Sequence, residues 1–409
     1  MENWLLNEQI DRENFGSGEY TNAEILKLLH EHWPSFHQNI ENGHKVKSWS
    51  AEDIGSGRGF LSRVYRVVVE FDGVDEKASV VIKIPVKTIN VDPKAATEGD
   101  GVDTFAVHNV ECEIYELFKN DNVPAMPLVY YTERSHELKP GMLILEDLSM
   151  NYGNYKLTQS VTEEQCWELL RLIVRLQIHM SKITKKEWQG KFVENSHCST
   201  FYDSFLGGFI PHVKTEHKDF VPFIERLNCI TNPKFARYAL LDRPSELNAK
   251  AFCHGDSWLN NVLFKKNADR SLSNTPSYLL DWQLVFEGNL FFDFARFLTI
   301  AADAEIRRAV QPKVVDQYYA MVEAEEKKIS ESSKVSHKKE ELHELFDLAY
   351  LHQSTLFLIA PVFIRLAAIR DETENVIAAE EEKLKLRARL NCEDVFPLIE
   401  KYQLEDKFS

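Results

Sequence analysis

Residues 252–264 read FCHGDSWLNNVLF, and residues 278–297 read YLLDWQLVFEGNLFFDFARF. Both stretches set carboxylates and amides among apolar neighbours, where a charge is costly unless something pairs with it. His254, Gly255, Asp256 and then Asn261, five positions after the aspartate, have the spacing H-x-D-x-x-x-x-N. In a kinase catalytic loop the aspartate of that pattern accepts the proton of the substrate hydroxyl, and the asparagine holds a metal ion. The run Val262-Leu263-Phe264 reads as a strand anchoring Asn261, and Asp281 ends a second apolar strand. Antiparallel pairing of the two would set Asp281 beside Asn261. A carboxylate and an amide oxygen together suit Mg2+, a hard cation that keeps several of its waters. Taken singly, Asp256 and Asp281 read equally well as turn or capping residues. The four residues at this spacing favour chemistry. Asp293, in FFDFARF, reads as structural, either pairing with Arg296 or bracing the loop that carries His254.

Phosphoryl transfer also needs a glycine-rich turn, a cation for the phosphates and an acid to place that cation. Upstream, GSGRGF carries Gly55, Gly57 and Gly59 between two expected strands. Glycines there allow backbone N–H groups to approach phosphate oxygens, although a plain glycine-rich hairpin gives the same pattern. Lys83 stands inside the apolar strand VVIKIP. The alternative for a lysine there is a guard on an exposed sheet edge. Glu111 and Glu113 lie on the helix that follows. The order of glycine turn, strand lysine, helix glutamate, LEDL at 145–148, H-G-D-x-x-x-x-N and a final aspartate carries more weight than any one of these signals.

The rest of the chain divides by pattern. Thr21 and Glu24 have the spacing of a capping box ahead of a helical run, and Thr162 and Gln165 have it again. LSRVYRVVVEF, ASVVIKIP, PLVYYTER and GMLILEDLS read as strands, and TFAVHNVECEIYELFKN as an amphipathic helix. After Ser149 the pattern is mostly helical. The expected fold is therefore α+β, with a small strand-rich N-terminal lobe over residues 1–148 and a larger helical C-terminal lobe over 149–409. The charged run at 323–344 reads as a solvated helix pair with a loop.

The 409 residues are 44% hydrophobic and carry a formal net charge of -16. That acidity disfavours nucleic acid as a partner. Six dispersed cysteines without a C-x-x-C pair read as buried reduced thiols. No Asn-x-Ser/Thr acceptor occurs, and the first residues lack the pattern of a signal peptide, so a cytoplasmic location is expected. The most apolar stretch, 356–369, is too short to span a membrane and contains Pro361 and Arg365. It reads as a buried helix.

CHGDSWLNNVLF together with LLDWQLVFEGNLFFDFARF resembles the CHK kinase-like family, which includes ecdysteroid-kinase-like proteins and belongs with the choline kinase and aminoglycoside phosphotransferase group. The resemblance runs from about Ile54 to Tyr350 and includes LEDL and the helix ECEIYELF. It implies a two-lobed protein-kinase-like fold with a small antiparallel sheet and a larger helical lobe. It also implies that the N-terminal lobe binds ATP and that the C-terminal lobe carries catalysis and acceptor binding. By the same resemblance Asp256 is the base, Asn261 and Asp281 bind Mg2+, and Lys83 meets the ATP phosphates. Glu111, four residues before Tyr115, holds Lys83. Residues 145–148, with Glu146 and Leu148, meet adenine through the backbone, and Gly57 and Gly59 are candidates for phosphate contact. Relatives commonly carry leucine where Ser257 stands, so that side chain is expected to pack with little effect on catalysis.

The function so implied is ATP-dependent phosphorylation of a hydroxyl on a small apolar acceptor, such as a steroid or a detoxification product. Tyr202, Phe205, Phe209, Phe220, Phe223, Trp258 and Phe286 are either plain core or the lining of its pocket. A choline- or ethanolamine-like acceptor would want an aromatic cage with acids, and the sequence does not separate the two. A non-catalytic pseudokinase is the rival from another class, but Lys83, Glu111, Asp256, Asn261 and Asp281 are all present. A protein kinase is disfavoured because Trp-Gln follows Asp281 where protein kinases have Phe-Gly.

Overall fold

The computed structural model describes residues 13–16, 18–55, 61–86, 103–182, 185–192, 206–329, 337–360, 362 and 373–408. Within them the chain forms two compact units. Of the described residues, the first takes those up to 86 together with 103–120 and 127–150, and the second takes 121–126 and those from 151 onward.

The first unit begins with strands β1 (Asn14–Phe15) and β2 (Tyr20–Thr21), helix α1 (Asn22–His32) and helix α2 (Pro34–Glu41). The capping box at Thr21 forms: the Thr21 hydroxyl accepts from the Glu24 N–H at 3.2 Å, and the Thr21 N–H donates to the Glu24 carboxylate at 2.7 Å. Next come β3 (Val46–Asp53), β4 (Ser62–Phe71), β5 (Ala78–Pro85), helix α3 (Thr104–Leu117), β6 (Val129–Glu133) and β7 (Met142–Glu146). These strands make one antiparallel sheet in the order β3-β4-β5-β7-β6. In β4, Tyr65, Val67, Val69 and Phe71 are buried at every second position, as a strand with one covered face requires. They pack with Leu26, Leu29, Phe36, Ile82 and Ile144 in the core of this unit.

β5 is the central strand, with Lys83 opposite Val64 on one side and Leu143 on the other. The edge-guard reading of Lys83 is thereby excluded.

The second unit opens with β8 (Tyr152–Gly153) and α4 (Glu163–Lys182), whose capping box is reciprocal: Thr162 N–H to the Gln165 side chain at 2.9 Å, and Gln165 N–H to the Thr162 hydroxyl at 3.2 Å. Two strand pairs follow. β9 (Lys250–Cys253) joins β12 (Phe286–Asn289), and β10 (Val262–Lys266) joins β11 (Leu272–Leu279) with β8 outside it. Helices that follow include α5 (Phe292–Ala301), α6 (Val314–Ile329), α7 (Lys339–Leu356) and α8 (Glu374–Tyr402). α6 and α7 each take in one end of the charged run at 323–344, giving the helix pair expected there, and the loop expected at 330–336 lies outside the described residues. The start of the apolar stretch is buried through Leu356, Phe357, Leu358 and Ile359. Leu348, Tyr350, Leu351, Leu384, Ala388, Cys392 and Val395 from α7 and α8 share one core.

Cys112, Cys166, Cys229, Cys253 and Cys392 are buried and unbridged. Among the described residues no helix is long and apolar enough to cross a membrane.

Candidate active site

In the first unit, Lys83 Nζ donates to Glu111 Oε2 at 2.6 Å, and the Tyr115 hydroxyl donates to Glu111 Oε1 at 3.2 Å. α3 is set for this by Asp103, whose carboxylate caps the N–H groups of Phe105 and Ala106 at 3.1 and 3.0 Å. Glu111 and Tyr115, four apart, then fall on one buried helix face. A lysine and a glutamate this deeply buried are tolerated because each neutralises the other. Glu113, the other glutamate considered, is not part of this pair.

Gly57 and Gly59 lie outside the described residues; Gly55 is tied by its N–H to Asp53 Oδ1 at 3.0 Å. Glu146 is held within the sheet: its N–H donates to Leu128 O at 3.0 Å, and its carboxylate accepts the Leu128 N–H at 2.7 Å. Leu148 is half-buried.

In the second unit the signature residues converge. Asn261 closes the short turn Leu259–Asn261 just before β10 and turns its amide nitrogen back to Asp256, reaching the backbone oxygen at 2.9 Å and Oδ2 at 3.0 Å. The Leu280 N–H donates to Asn261 O at 2.8 Å, one register step beyond the Val262–Leu279 pair. That bond brings Asp281 beside Asn261, as the strand reading anticipated. Asp281 itself has φ 64°, in the left-handed region that aspartate tolerates better than most residues. The kink ends β11 and starts the tight turn in which the buried Trp282 donates to Leu279 O at 2.8 Å. Asp256 N–H donates to His254 Nδ1 at 3.2 Å, so that nitrogen is the bare one and Nε2 carries the ring proton.

Asp293, at the start of α5, is the brace. Its carboxylate accepts the N–H groups of His254 at 2.8 Å and Gly255 at 2.9 Å. Gly255 has φ 84°, which favours glycine there. Of the two readings of Asp293, the structure bears out the bracing one. Arg296 pairs instead with Asp256, its Nη2 lying 2.5 Å from Oδ1. Ser257 corrects a second expectation. It does not merely pack: its buried hydroxyl donates to Asp293 O at 2.7 Å and lies 3.3 Å from Asp293 Oδ1.

Burial pushes the Asp256 carboxyl above its ordinary range; Arg296 opposes the shift, and the nearby Asp281 charge adds to it. Burial also pushes Asp293 up to about 6, against the bonds it accepts from His254, Gly255 and Ser257.

Among the described residues no three His, Cys, Asp or Glu side chains gather to hold a metal. The donor set here is two carboxylates and an amide. Because the Asn261 nitrogen is spent on Asp256, its oxygen is the end left to face a cation. Neighbouring carboxylates of like charge favour a divalent ion. Oxygen-only donors in this number fit Mg2+ with its remaining waters.

The aromatic residues considered for an acceptor pocket divide. Phe220 and Phe286 are fully buried in core, whereas Phe209, Phe223 and Trp258 are partly buried against it. Tyr202 and Phe205 lie outside the described residues. A cavity of about 250 Å³ is lined by Leu206, Ile210, Pro211, Lys214, Ile224 and Pro233, and none of the candidate site residues borders it.

A family model described as the ecdysteroid kinase-like family matches residues 56–331, a stretch that takes in Lys83, Glu111, Asp256, Asn261, Asp281 and Arg296. The chain belongs to the ecdysteroid kinase-like family. Over 303 residues this family member is 25% identical to a Caenorhabditis elegans protein named uncharacterized oxidoreductase dhs-27, a match covering 69% of this chain and 36% of that protein. It thus spans about a third of the length of that curated relative. Among solved structures, choline kinase from Cryptosporidium parvum is similar with a TM-score of 0.51 at 13% identity, over 92% of this chain and 98% of that one. This likeness bears out the fold expected from the sequence: a kinase-like α+β fold with a small antiparallel-sheet lobe and a larger helical lobe.

Proposed function

We propose that this protein is an ATP-dependent kinase that phosphorylates a hydroxyl on a small molecule. One observation carries the reading: a buried aspartate, Asp256, has its carboxylate oriented by the asparagine five residues on, with Asp281 brought alongside by strand pairing. A carboxylate held in this way suits a general base for an alcohol.

In this reading Lys83, kept in place by Glu111, sets positive charge against the ATP phosphates. Residues 145–148, through Glu146 and Leu148, face adenine, and Gly57 and Gly59 approach the phosphates with their backbone N–H groups. Asn261 and Asp281 hold Mg2+, which supplies charge compensation for the phosphates. Asp256 accepts a hydrogen bond from the acceptor hydroxyl. As the acceptor oxygen forms its bond to the γ-phosphorus, the bond from that phosphorus to ADP breaks and the hydroxyl proton passes to Asp256. The burial that raises the Asp256 carboxyl also makes it a better proton acceptor. Most of the acceleration comes from positioning and charge.

The acceptor is an apolar alcohol. The family's description as ecdysteroid kinase-like supports a steroid-like acceptor, and the half-buried Phe209, Phe223 and Trp258 offer apolar surface in the same unit. The net charge of -16 argues against nucleic acid, and the buried, unbridged cysteines accord with a cytoplasmic enzyme.

The test is mass spectrometry of a metabolite extract, supplemented with hydroxylated steroids and incubated with the protein, ATP and Mg2+. Asp256→Asn serves as control. A species gaining one phosphate with the unmodified protein alone is the expected result and names the acceptor class. Equal gain with Asp256→Asn overturns the assignment of the base. Radiolabel recovered only on protein overturns the small-molecule reading.

A further inference from the structure

α5 presents two charged residues one turn apart in the otherwise apolar run FFDFARF, and each reaches the same loop. Asp293 holds the backbone N–H groups of His254 and Gly255. Arg296 holds the carboxylate of Asp256. Arg296 is anchored in turn: its Nη1 lies 3.3 Å from Gln353 Oε1 on α7, and the Gln353 amide nitrogen lies 3.0 Å from His352 Nδ1. Its side chain is only 11% exposed.

The two oxygens of Asp256 are tied from different directions. Asn261 takes Oδ2 from within the loop, and Arg296 takes Oδ1 from the helix. With both oxygens tied, the carboxylate plane cannot turn about its bond to the Cβ atom. A carboxylate offers about four lone-pair directions, so each oxygen retains one for a further donor. Without Arg296 only the Asn261 bond would resist rotation. Arg296 also keeps a buried Nε donor that has no hydrogen-bond partner among the described residues. A buried donor of that kind is costly unless an oxygen arrives to take it.

We infer that Arg296 is a positioning residue for phosphoryl transfer, holding Asp256 in the orientation that receives the acceptor hydroxyl. The inference rests on the kinase reading above. It follows from the geometry that α5 fixes the loop twice, once through its backbone and once through its reactive side chain.

The experiment compares unmodified protein with Arg296→Ala, Arg296→Lys and Asp256→Asn, following transfer of labelled phosphate from ATP to the same steroid-supplemented extract. Thermal melting and ATP binding are measured on every variant. Arg296→Ala is expected to lower turnover by about a hundredfold, the scale of an ångström-level misplacement of a reacting group, with KM for ATP unchanged. Arg296→Lys keeps the charge without the two-pronged geometry and is expected to retain an intermediate rate. Guanidinium ion at millimolar concentration is expected to restore at least tenfold of the activity lost in Arg296→Ala and none of that lost in Asp256→Asn. A merely structural arginine would lower melting temperature without this rescue, and that result overturns the role. Turnover of Arg296→Ala within threefold of the unmodified protein overturns it as well. No transfer by the unmodified protein overturns the kinase reading itself, and the role of Arg296 with it.

Discussion

Lys83 Nζ and Glu111 Oε2 lie 2.6 Å apart in the first unit, with the lysine side chain 7% and the glutamate 1% exposed. At the centre of a five-stranded sheet there is little water to solvate either charge alone. Each residue is therefore the condition for the other.

Breaking this pair from one side should be costly. Lys83→Met or Glu111→Gln is expected to lose roughly 3–5 kcal/mol of stability, the range for removing one partner of a buried ion pair. The double variant Lys83→Met/Glu111→Leu should recover part of that loss. Chemical denaturation of the three proteins checks it. A double variant with the summed loss of both singles would show that the pair is not coupled.

Ser257 should matter more than its size suggests. Ser257→Ala removes a buried hydroxyl that donates to Asp293 and is expected to cost about 1–3 kcal/mol. Ser257→Leu adds volume at a fully buried position and should cost more. Melting curves rank the two; leucine as stable as serine would return Ser257 to a plain packing role.

Asp293 should leave a mark on the pH dependence of stability. Burial pushes its folded-state value up to about 6, above that of an aspartate in an unfolded chain. The folded protein therefore holds the extra proton between about pH 4 and pH 6. The stability tied to that group is fully present below pH 4 and is lost as the pH rises through 6. Asp293→Asn has no such titration. The stability advantage of the unmodified protein over this variant is expected to narrow by up to ~3 kcal/mol between pH 4 and pH 7. Urea denaturation at the two values decides the matter, and an advantage that widens with pH contradicts it.

Gly141 should tolerate no side chain. A Cβ atom there would overlap Glu133 O and lie 2.5 Å from His108 Nε2 and 2.7 Å from Ser135 N. Two of these are backbone atoms of the strand and turn that precede β7, and they cannot move aside cheaply. Gly141→Ala is expected to cost about 3 kcal/mol or more, from overpacking and backbone shift together. The soluble yield and melting temperature of the variant report it; an unchanged melting temperature would show that the turn gives way.

Much of this was legible in the residues. Thr21–Glu24 and Thr162–Gln165 announced helix starts because capping is local chemistry. The alternation in LSRVYRVVVEF announced a strand. Asn261 and Asp281 could be placed together because two apolar strands joined by a short connection have few ways to pair. Strand order is non-local, so the central place of β5, and with it the burial of Lys83, was not legible. Arg296 was the main residue missed. In FFDFARF the nearest partner for an arginine is the aspartate three residues before it, but Asp293 is taken up by backbone N–H groups of a loop far away in sequence. The available clue was two charges one helical turn apart in an apolar run, which gives a shared face but not a target. The packing expected of Ser257 came from the leucine that relatives commonly carry there, and a single hydroxyl gives no sign in the sequence of a partner as distant as Asp293.

The span that marks the family and the span that folds are not the same length of chain. Residues 56–331 carry the match, yet Phe15, Leu26 and Phe36, which help fill the core beneath the sheet, precede it, as does β3. Leu384, Ala388, Cys392 and Val395, which complete the core around α7, follow it. A protein trimmed to the shared signature would expose two half-built interiors. The matched span takes in Lys83, Glu111, Asp256, Asn261 and Asp281, while walls that keep water out of their supports lie in the sequence on either side.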